Sequence, residues 1–318
     1  MTLTQLGYII AVDKFKNFGQ AAESCHVTQP TLSMQIQKLE DQIGVLIFDR
    51  SHQPIRTTKV GEALVAQARI ILSEAQRFSD IINDDRGEVK GEVTIAVIPT
   101  LSPYLVPLFL KKFSQKFPAL TIHLEELQTH QILERFKSNS LDVALLVTPV
   151  ETENLVTIPI FYEPFLVYTS EKNPLIQKSK VTQADLNVQD LWMLTEGHCF
   201  RDQSLAVCKS KKKSSEEKRN IRFESGSLET LKRMVDQENG FTLLPYLAAQ
   251  DITQTKKIKE FANPVPTREV SLIHSIFYKR DALKNELIQI IQKSLPKEIP
   301  HTQSKNTQVV DLPIGKLS

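Results

Sequence analysis

Apolar side chains open the chain at helical spacing: Leu6, Ile9, Ile10, Val12, Phe15 and Phe18 recur mostly three or four residues apart, predicting a helix over 4–20. A compact second helix follows from Phe18 to Cys25, and His26-Val27-Thr28 leaves room only for a turn. Thr28 is suited to cap a third helix, with Pro30 just inside its start, where a missing N–H costs nothing. Leu32, Ile36 and Leu39 bury one side of that helix and leave Gln29, Thr31, Ser33 and Gln35 on more exposed positions. Val45 to Phe48 and Ile55 to Thr57 read as short strands around a Ser51-His52-Gln53-Pro54 turn. Leu64, Ala68, Ile71, Ala75, Phe78 and Ile82 then alternate spacings of four and three, one apolar stripe on a long helix over 58–86.

Beyond Gly87 the period changes. Strand-like runs at Val93 to Val97, Leu120 to Leu124 and Val143 to Val147 alternate with helical patterns from Tyr104 to Phe117 and Gln131 to Asn139. That alternation predicts right-handed βαβ units on a mostly parallel sheet. A second group holds Phe165 to Tyr168, Leu191 to Leu194, Ile221 to Phe223 and Phe241 to Leu244, and Val270 to Phe277 with the helix from Leu283 to Leu295 returns to the first. Two interlocked α/β lobes with a cleft between them fit this order. The expected domains are 1–58, a linker helix over 59–90, and a domain over 91–300 with lobes 91–163 plus 268–300 and 164–267. Residues 301–318 read as a flexible tail.

The 318 residues are 41% apolar and 24% charged, which excludes a wholly disordered or fibrous chain. Thirty-nine basic against 37 acidic residues leave a net charge of +2, so whole-chain charge does not advertise nucleic-acid binding. No run reaches the length of a membrane span and the start lacks a signal peptide's pattern, so a cytoplasmic location is expected.

Two short helices joined by a tight turn, with small polar side chains opening the second, meet the requirements of a major-groove reader; a plain three-helix packing module has the same pattern. A hairpin after them would act as a wing, holding Arg50, His52 or Arg56 against phosphates or the minor groove. Residues 1–60 carry six basic and five acidic side chains, so binding would need a focused patch and a dimer. The long apolar stripe offers a dimer helix, or packs against its own domain.

Cys199 and Cys208 stand nine positions apart, with His198 before the first and Arg201 just after it. A neighbouring cation or a helix start favours the thiolate, peroxide converts a thiolate to sulfenic acid, and a second thiol can trap that acid. Within one intact helix nine residues rise about 13.5 Å, too far for a disulfide, so a bond would require remodelling. Buried small hydrophobes are the bland alternative, and a metal site with His198 lacks an evident fourth ligand. Cys25 reads as a core residue. Residues 209–219 carry a local +4, which keeps that loop solvated or raises the Cys208 thiolate population.

Residues 18–61, FGQAAESCHVTQPTLSMQIQKLEDQIGVLIFDRSHQPIRTTKVG, resemble the winged helix-turn-helix of the LysR-type transcriptional regulators, and the resemblance extends to about residue 297. Thr58 and Val60 depart from the family's wording before Gly61, and Met34 stands where most relatives carry Arg. EGHCFRDQSLAVC, IPTLSPYLVPLF, LEELQTHQIL and SGSLETLKRMVDQENGFTLLP resemble the peroxide-sensing branch of that family. The resemblance implies a winged helix-turn-helix, a long linker helix and a bilobed effector domain like that of periplasmic binding proteins. It implies Cys199 as peroxidatic and Cys208 as resolving cysteine, with Thr100, Thr129 and His198 around the peroxide. Arg201 is expected to hold the thiolate, and Arg268 to join the charged network. DNA contacts fall to Gln29, Pro30, Thr31, Ser33, Gln35, Arg50, His52 and Arg56.

Implied partners are double-stranded promoter DNA, a second copy forming a dimer and then a tetramer partly through the Leu228 to Val235 helix, RNA polymerase, hydrogen peroxide and a cytosolic dithiol reductant. No cofactor, metal or turnover chemistry is expected. A metabolite-responsive regulator with inert cysteines, a thiol peroxidase, and an exported binding protein are the competing readings.

Overall fold

The computed structural model describes residues 1–85, 89–150, 153–208, 225–252 and 255–310. Its contacts divide the chain into two units, Met1–Glu88 with Arg135–Ser140, and Val89–Glu134 with Leu141–Ser318.

Each of the first unit's three opening helices starts on a capping side chain. Helix α1 (Leu3–Phe15) begins at Thr2, which forms a reciprocal capping box with Gln5. Helix α2 (Phe18–Ser24) begins at Asn17, whose side chain accepts from Gly19 and Gln20 N–H. Helix α3 (Gln29–Ile43) begins at Thr28, with Pro30 in its first turn, and ends at Gly44 in the left-handed region, φ 73°. Leu6, Ile9, Val12, Ala21, Leu32, Ile36 and Leu39 form the shared core. A short antiparallel hairpin follows, β1 (Phe48–Asp49) with β2 (Arg56–Thr57), and Ile47 and Phe48 turn inward. Buried Glu40 fixes the hairpin's entry by accepting from Ile47 and Phe48 N–H.

Helix α4 (Lys59–Asp85) carries the long stripe. Val65 and Ala68 are buried in the unit's own core, with Leu64, Ile71 and Leu72 packed against it, while Phe78 is exposed. The first half of the stripe therefore does what the intramolecular alternative expected. The Ile82 side chain lies outside the described residues.

The second unit is a mixed α/β domain around a curled sheet, not the mostly parallel sheet expected. Its elements are β3 (Gly91–Val97), α5 (Ser102–Lys116), β4 (Leu120–Glu126), α6 (Thr129–Lys137), β5 (Val143–Thr148), β6 (Leu155–Thr169), β7 (Lys180–Val181), α7 (Cys199–Val207), α8 (Leu228–Gln237), β8 (Phe241–Pro245), β9 (Ile258–Phe261), β10 (Val265–Ser275), α9 (Asp281–Ser294) and β11 (Thr307–Val309). Among the described residues the main path runs β4-β3-β5-β10-β6-β9-β7, with β8 on β6 and β11 on β10. The β3–β4 and β3–β5 pairs are parallel as expected, but β10 is antiparallel to both β5 and β6.

The long strand β6 joins the two halves of this unit. Residues 155–164 pair with β10, and residues 165–169 pair with β8 and β9. Of the expected strand at Leu191 to Leu194, a single bridge from Leu191 to Phe241 forms. The expected strand at Ile221 to Phe223 and the basic loop at 209–219 lie outside the described residues. Within the expected tail, residues 307–309 form β11, which pairs in parallel with β10, and Val310 is buried; residues 311–318 lie outside the described residues.

Candidate functional site

Helix α7 starts at Cys199 and ends at Val207, with Cys208 as its C-terminal cap residue. Both thiols are free and buried, one at each end of the helix. Cys199 Sγ lies 3.1 Å from Thr129 Oγ1, at the start of α6, and that hydroxyl is itself buried. Cys208 instead joins the apolar cluster of Phe165, Phe200, Val207 and Leu231.

Arg268 on β10 organises the space behind α7. Its side chain is wholly buried, its Nε donates to Glu163 Oε2 at 2.8 Å, and Nη2 lies 2.7 Å from the same carboxylate. Nη1 donates to Thr100 Oγ1 at 3.1 Å and Nη2 to the Thr100 carbonyl at 3.2 Å. The guanidinium carbon stands 5.7 Å from the ring centroid of Phe200, the residue after Cys199. Glu163 on β6 completes its own shell by accepting from Leu247 N–H at 2.7 Å.

Burial dominates the electrostatics. It raises the Cys199 thiol above its ordinary value, against the Thr129 hydrogen bond and the charge of Arg268, which both favour the thiolate; Asp202 adds to the rise. Burial alone pushes Cys208 up to about 12. It also lowers His198, opposed by the charge of Glu126, so that ring is neutral near pH 7. His198 precedes α7 without making a side-chain cap bond, and a β-carbon at Gly226 would come within 3.2 Å of its Nε2.

These facts revise two sequence expectations. Arg201 pairs with Glu196 at 2.8 Å, and the cation acting on the thiol is Arg268, 69 positions along the chain. The resting thiol is also protonated, because helix start and cation do not outweigh desolvation. Thr100, Thr129, Cys199 and Arg268 belong to one constellation. Glu163 escaped sequence reading; its only signal was a lone carboxylate inside the apolar run Phe161 to Leu166. The metal reading gains no support: among the described residues no group of three or more His, Cys, Asp or Glu side chains converges.

In the first unit, Gln29, Pro30, Thr31 and Met34 are exposed along the start of α3. Thr31 Oγ1 lies 2.8 Å from Thr28 Oγ1. Gln35, expected to face outward, accepts from Gln5 Nε2 at 3.2 Å and ties α3 to α1. Arg50 is similarly engaged: it donates to Glu40 at 3.0 Å and Ser33 at 3.2 Å and stacks over Phe18. His52 lies 3.1 Å from Asp49, and Arg56 is exposed. Cys25 is half-buried beside that core.

Residues 3–62 match the bacterial regulatory helix-turn-helix model of the lysR family, and residues 86–296 match the LysR substrate binding domain. The chain belongs to the LysR family. It is a transcriptional regulator with a DNA-binding helix-turn-helix, and not an enzyme. It is 38% identical over 276 residues to the hydrogen peroxide-inducible genes activator of Haemophilus influenzae, covering 86% of this chain and 90% of that one. Identity to the DNA-binding transcriptional dual regulator OxyR of Escherichia coli is 36%, over 86% and 89% of the two chains. Full-length OxyR from Pseudomonas aeruginosa, solved with aspartate in place of a cysteine, superposes with a TM-score of 0.74 at 34% identity, covering 92% of this chain and 98% of that one. A hydrogen-peroxide-bound mutant of Corynebacterium glutamicum OxyR gives 0.61 at 28% identity, covering 92% of each. No helix among the described residues is long and apolar enough to cross a membrane.

Proposed function

We propose that this LysR-family regulator senses hydrogen peroxide through Cys199 and switches by forming a Cys199–Cys208 disulfide. The observation that carries the reading is the buried Thr129–Cys199 contact beside the Arg268–Thr100 pair. Thr100 Oγ1 already accepts from Arg268, so its own hydrogen is available to a peroxide oxygen. Neutral His198 has one ring nitrogen to accept and one to donate.

In the first step the Cys199 sulfur bonds to one peroxide oxygen as the O–O bond breaks. The thiol proton goes to the departing hydroxide, giving sulfenic acid and one water. Thr129 donates to the developing thiolate. In the second step Cys208 sulfur displaces that hydroxyl, and its own proton leaves with it as a second water. The peroxide is the two-electron oxidant. Helix α7 must unwind between the two, since nine residues of helix rise about 13.5 Å, beyond the reach of a disulfide. A cytosolic dithiol reverses the bond.

The hairpin β1–β2 serves as the wing, Gln29, Pro30, Thr31 and Arg56 face DNA, and the exposed part of α4 pairs with a second copy. The effector domain is bilobed like a periplasmic binding protein. Remodelled α7 changes contacts through α8 within a tetramer, altering the grip on promoter DNA and the approach of RNA polymerase. Mass spectrometry after stoichiometric peroxide, paired with operator footprinting of the same samples, tests the scheme. A two-hydrogen loss linking Cys199 to Cys208 together with a changed footprint is expected. Free thiols, or a footprint indifferent to the bond, overturn it.

A further inference from the structure

We infer that the C-terminal segment is a latch on α7, engaged through Gln203 and Val310, and that its release controls how fast Cys208 reaches oxidised Cys199. The inference rests on the disulfide reading and concerns its second step.

Gln203 lies between the two cysteines and has no exposed surface. Its Nε2 donates to the carbonyl of Val310 at 3.3 Å. Val310 N–H in turn donates to the Thr267 carbonyl at 2.9 Å, and its side chain belongs to the cluster that holds Phe200, Val207 and Cys208. Upstream, Val265 N–H donates to the Asn306 carbonyl, and β11 pairs with residues 265–267 of β10. Arg268 is the next residue. The tail therefore grips at once the helix that carries the thiols and the strand that carries the cation.

The helix cannot unwind at its centre while Gln203 holds Val310, so the tail favours the resting form. The grip is also built to open. Strand β11 has three residues, the kind of short terminal pairing that opens at far less cost than global unfolding. Gln203 Oε1 is buried without a partner among the described residues, an acceptor that is relieved once the helix opens. Cys199 itself is held by Thr129 on α6, outside the tail, and Gln203→Met leaves β11 paired beside Arg268, so the attack on peroxide does not depend on the Gln203–Val310 contact.

The step under control is attack of Cys208 sulfur on the Cys199 sulfenic acid, which forms the S–S bond and expels water. The test compares the full chain, a chain ended at Lys305, and full-length Gln203→Met. Sulfenic acid formation is timed by dimedone trapping in a Cys208→Ser background, and disulfide formation by quenched-flow mass spectrometry. Sulfenylation is expected to stay unchanged, while the disulfide step accelerates by about fivefold in Gln203→Met, the effect of one ordinary hydrogen bond, and by more in the shortened chain. Unchanged disulfide formation in both, or equal acceleration of both steps, overturns the latch. If the shortened chain melts abnormally when reduced, Gln203→Met decides alone. A wild-type chain that forms no disulfide overturns the parent reading, whereas a normal disulfide unaffected by either change removes only the latch.

Discussion

Glu163 and Arg268 face each other across β6 and β10 with no exposed surface on either side chain, Oε2 lying 2.7 Å from Nη2. Desolvating two charges is costly, and the arrangement persists because the geometry meets most of their needs. The carboxylate also accepts from Leu247, and the guanidinium also donates twice to Thr100. Removing one partner strands the other in an apolar interior.

Glu163→Gln keeps the shape and deletes the charge. A loss of about 3–5 kcal/mol in unfolding free energy is expected, read from urea denaturation of the reduced chain. The exposed Lys180–Glu260 pair is the contrast: Lys180→Gln should change stability by no more than about 1 kcal/mol. Equal effects at the two sites would show that the buried pair contributes nothing special.

Thr129→Val preserves volume but deletes the hydrogen bond that partly offsets burial of Cys199. The thiol moves further up, less thiolate is available near pH 7, and sulfenylation slows by about tenfold. Thr129→Ser retains the hydroxyl and should react close to the wild-type rate. Dimedone-trapping kinetics at one pH separate the two; a fast valine variant would show that the hydroxyl is idle.

Local patterns were legible where local forces decide. Thr28, Pro30 and Gly44 bound α3 because capping is a matter of neighbouring residues, and the Leu32, Ile36 and Leu39 stripe is its buried face. Spacing alone left Cys199 and Cys208 as ordinary buried residues, and it was the resemblance that singled them out; the structure puts both, free and buried, at the two ends of α7. Pairings distant in sequence were not legible. Nothing adjacent to Arg268 announces Thr100 or Glu163, and Arg201, two positions from Cys199, pairs with Glu196. The direction of β10 was equally hidden, since alternating strands and helices suggest parallel order while the return strand runs against both neighbours. The tail's polar composition concealed one apolar residue, Val310, with a place in the core.

Gly61 stands where no side chain fits. A β-carbon there would collide with the Ile47 carbonyl oxygen, which is also fixed by accepting from Thr58 N–H at 2.9 Å. Gly61→Ala should therefore cost about 1–3 kcal/mol and weaken the seating of α4 on the β1–β2 hairpin. Gly7, in the middle of α1, has Leu72 Cδ1 at 4.0 Å as its nearest such neighbour, so Gly7→Ala should gain about 0.5–1 kcal/mol. Thermal melts of both variants check the opposite signs.

Cys208 gives the reduced protein an alkaline weakness. Its thiol stays neutral in the folded chain up to about 12, against an ordinary value of 9.0. Below pH 9 both folded and unfolded chains keep the proton, so the stability contribution is fully present. Above it the unfolded chain loses the proton while the folded chain retains it, and unfolding becomes easier as pH rises toward the folded value. For one group the slope approaches about 1.4 kcal/mol per pH unit. Cys199, also raised, adds in the same direction. Cys208→Ala should start less stable, because it leaves a gap beside Phe200 and Val207, yet lose less between about pH 9 and 11 than the wild-type chain. Urea midpoints across that range measure the slope, and identical slopes would exclude Cys208 as its source.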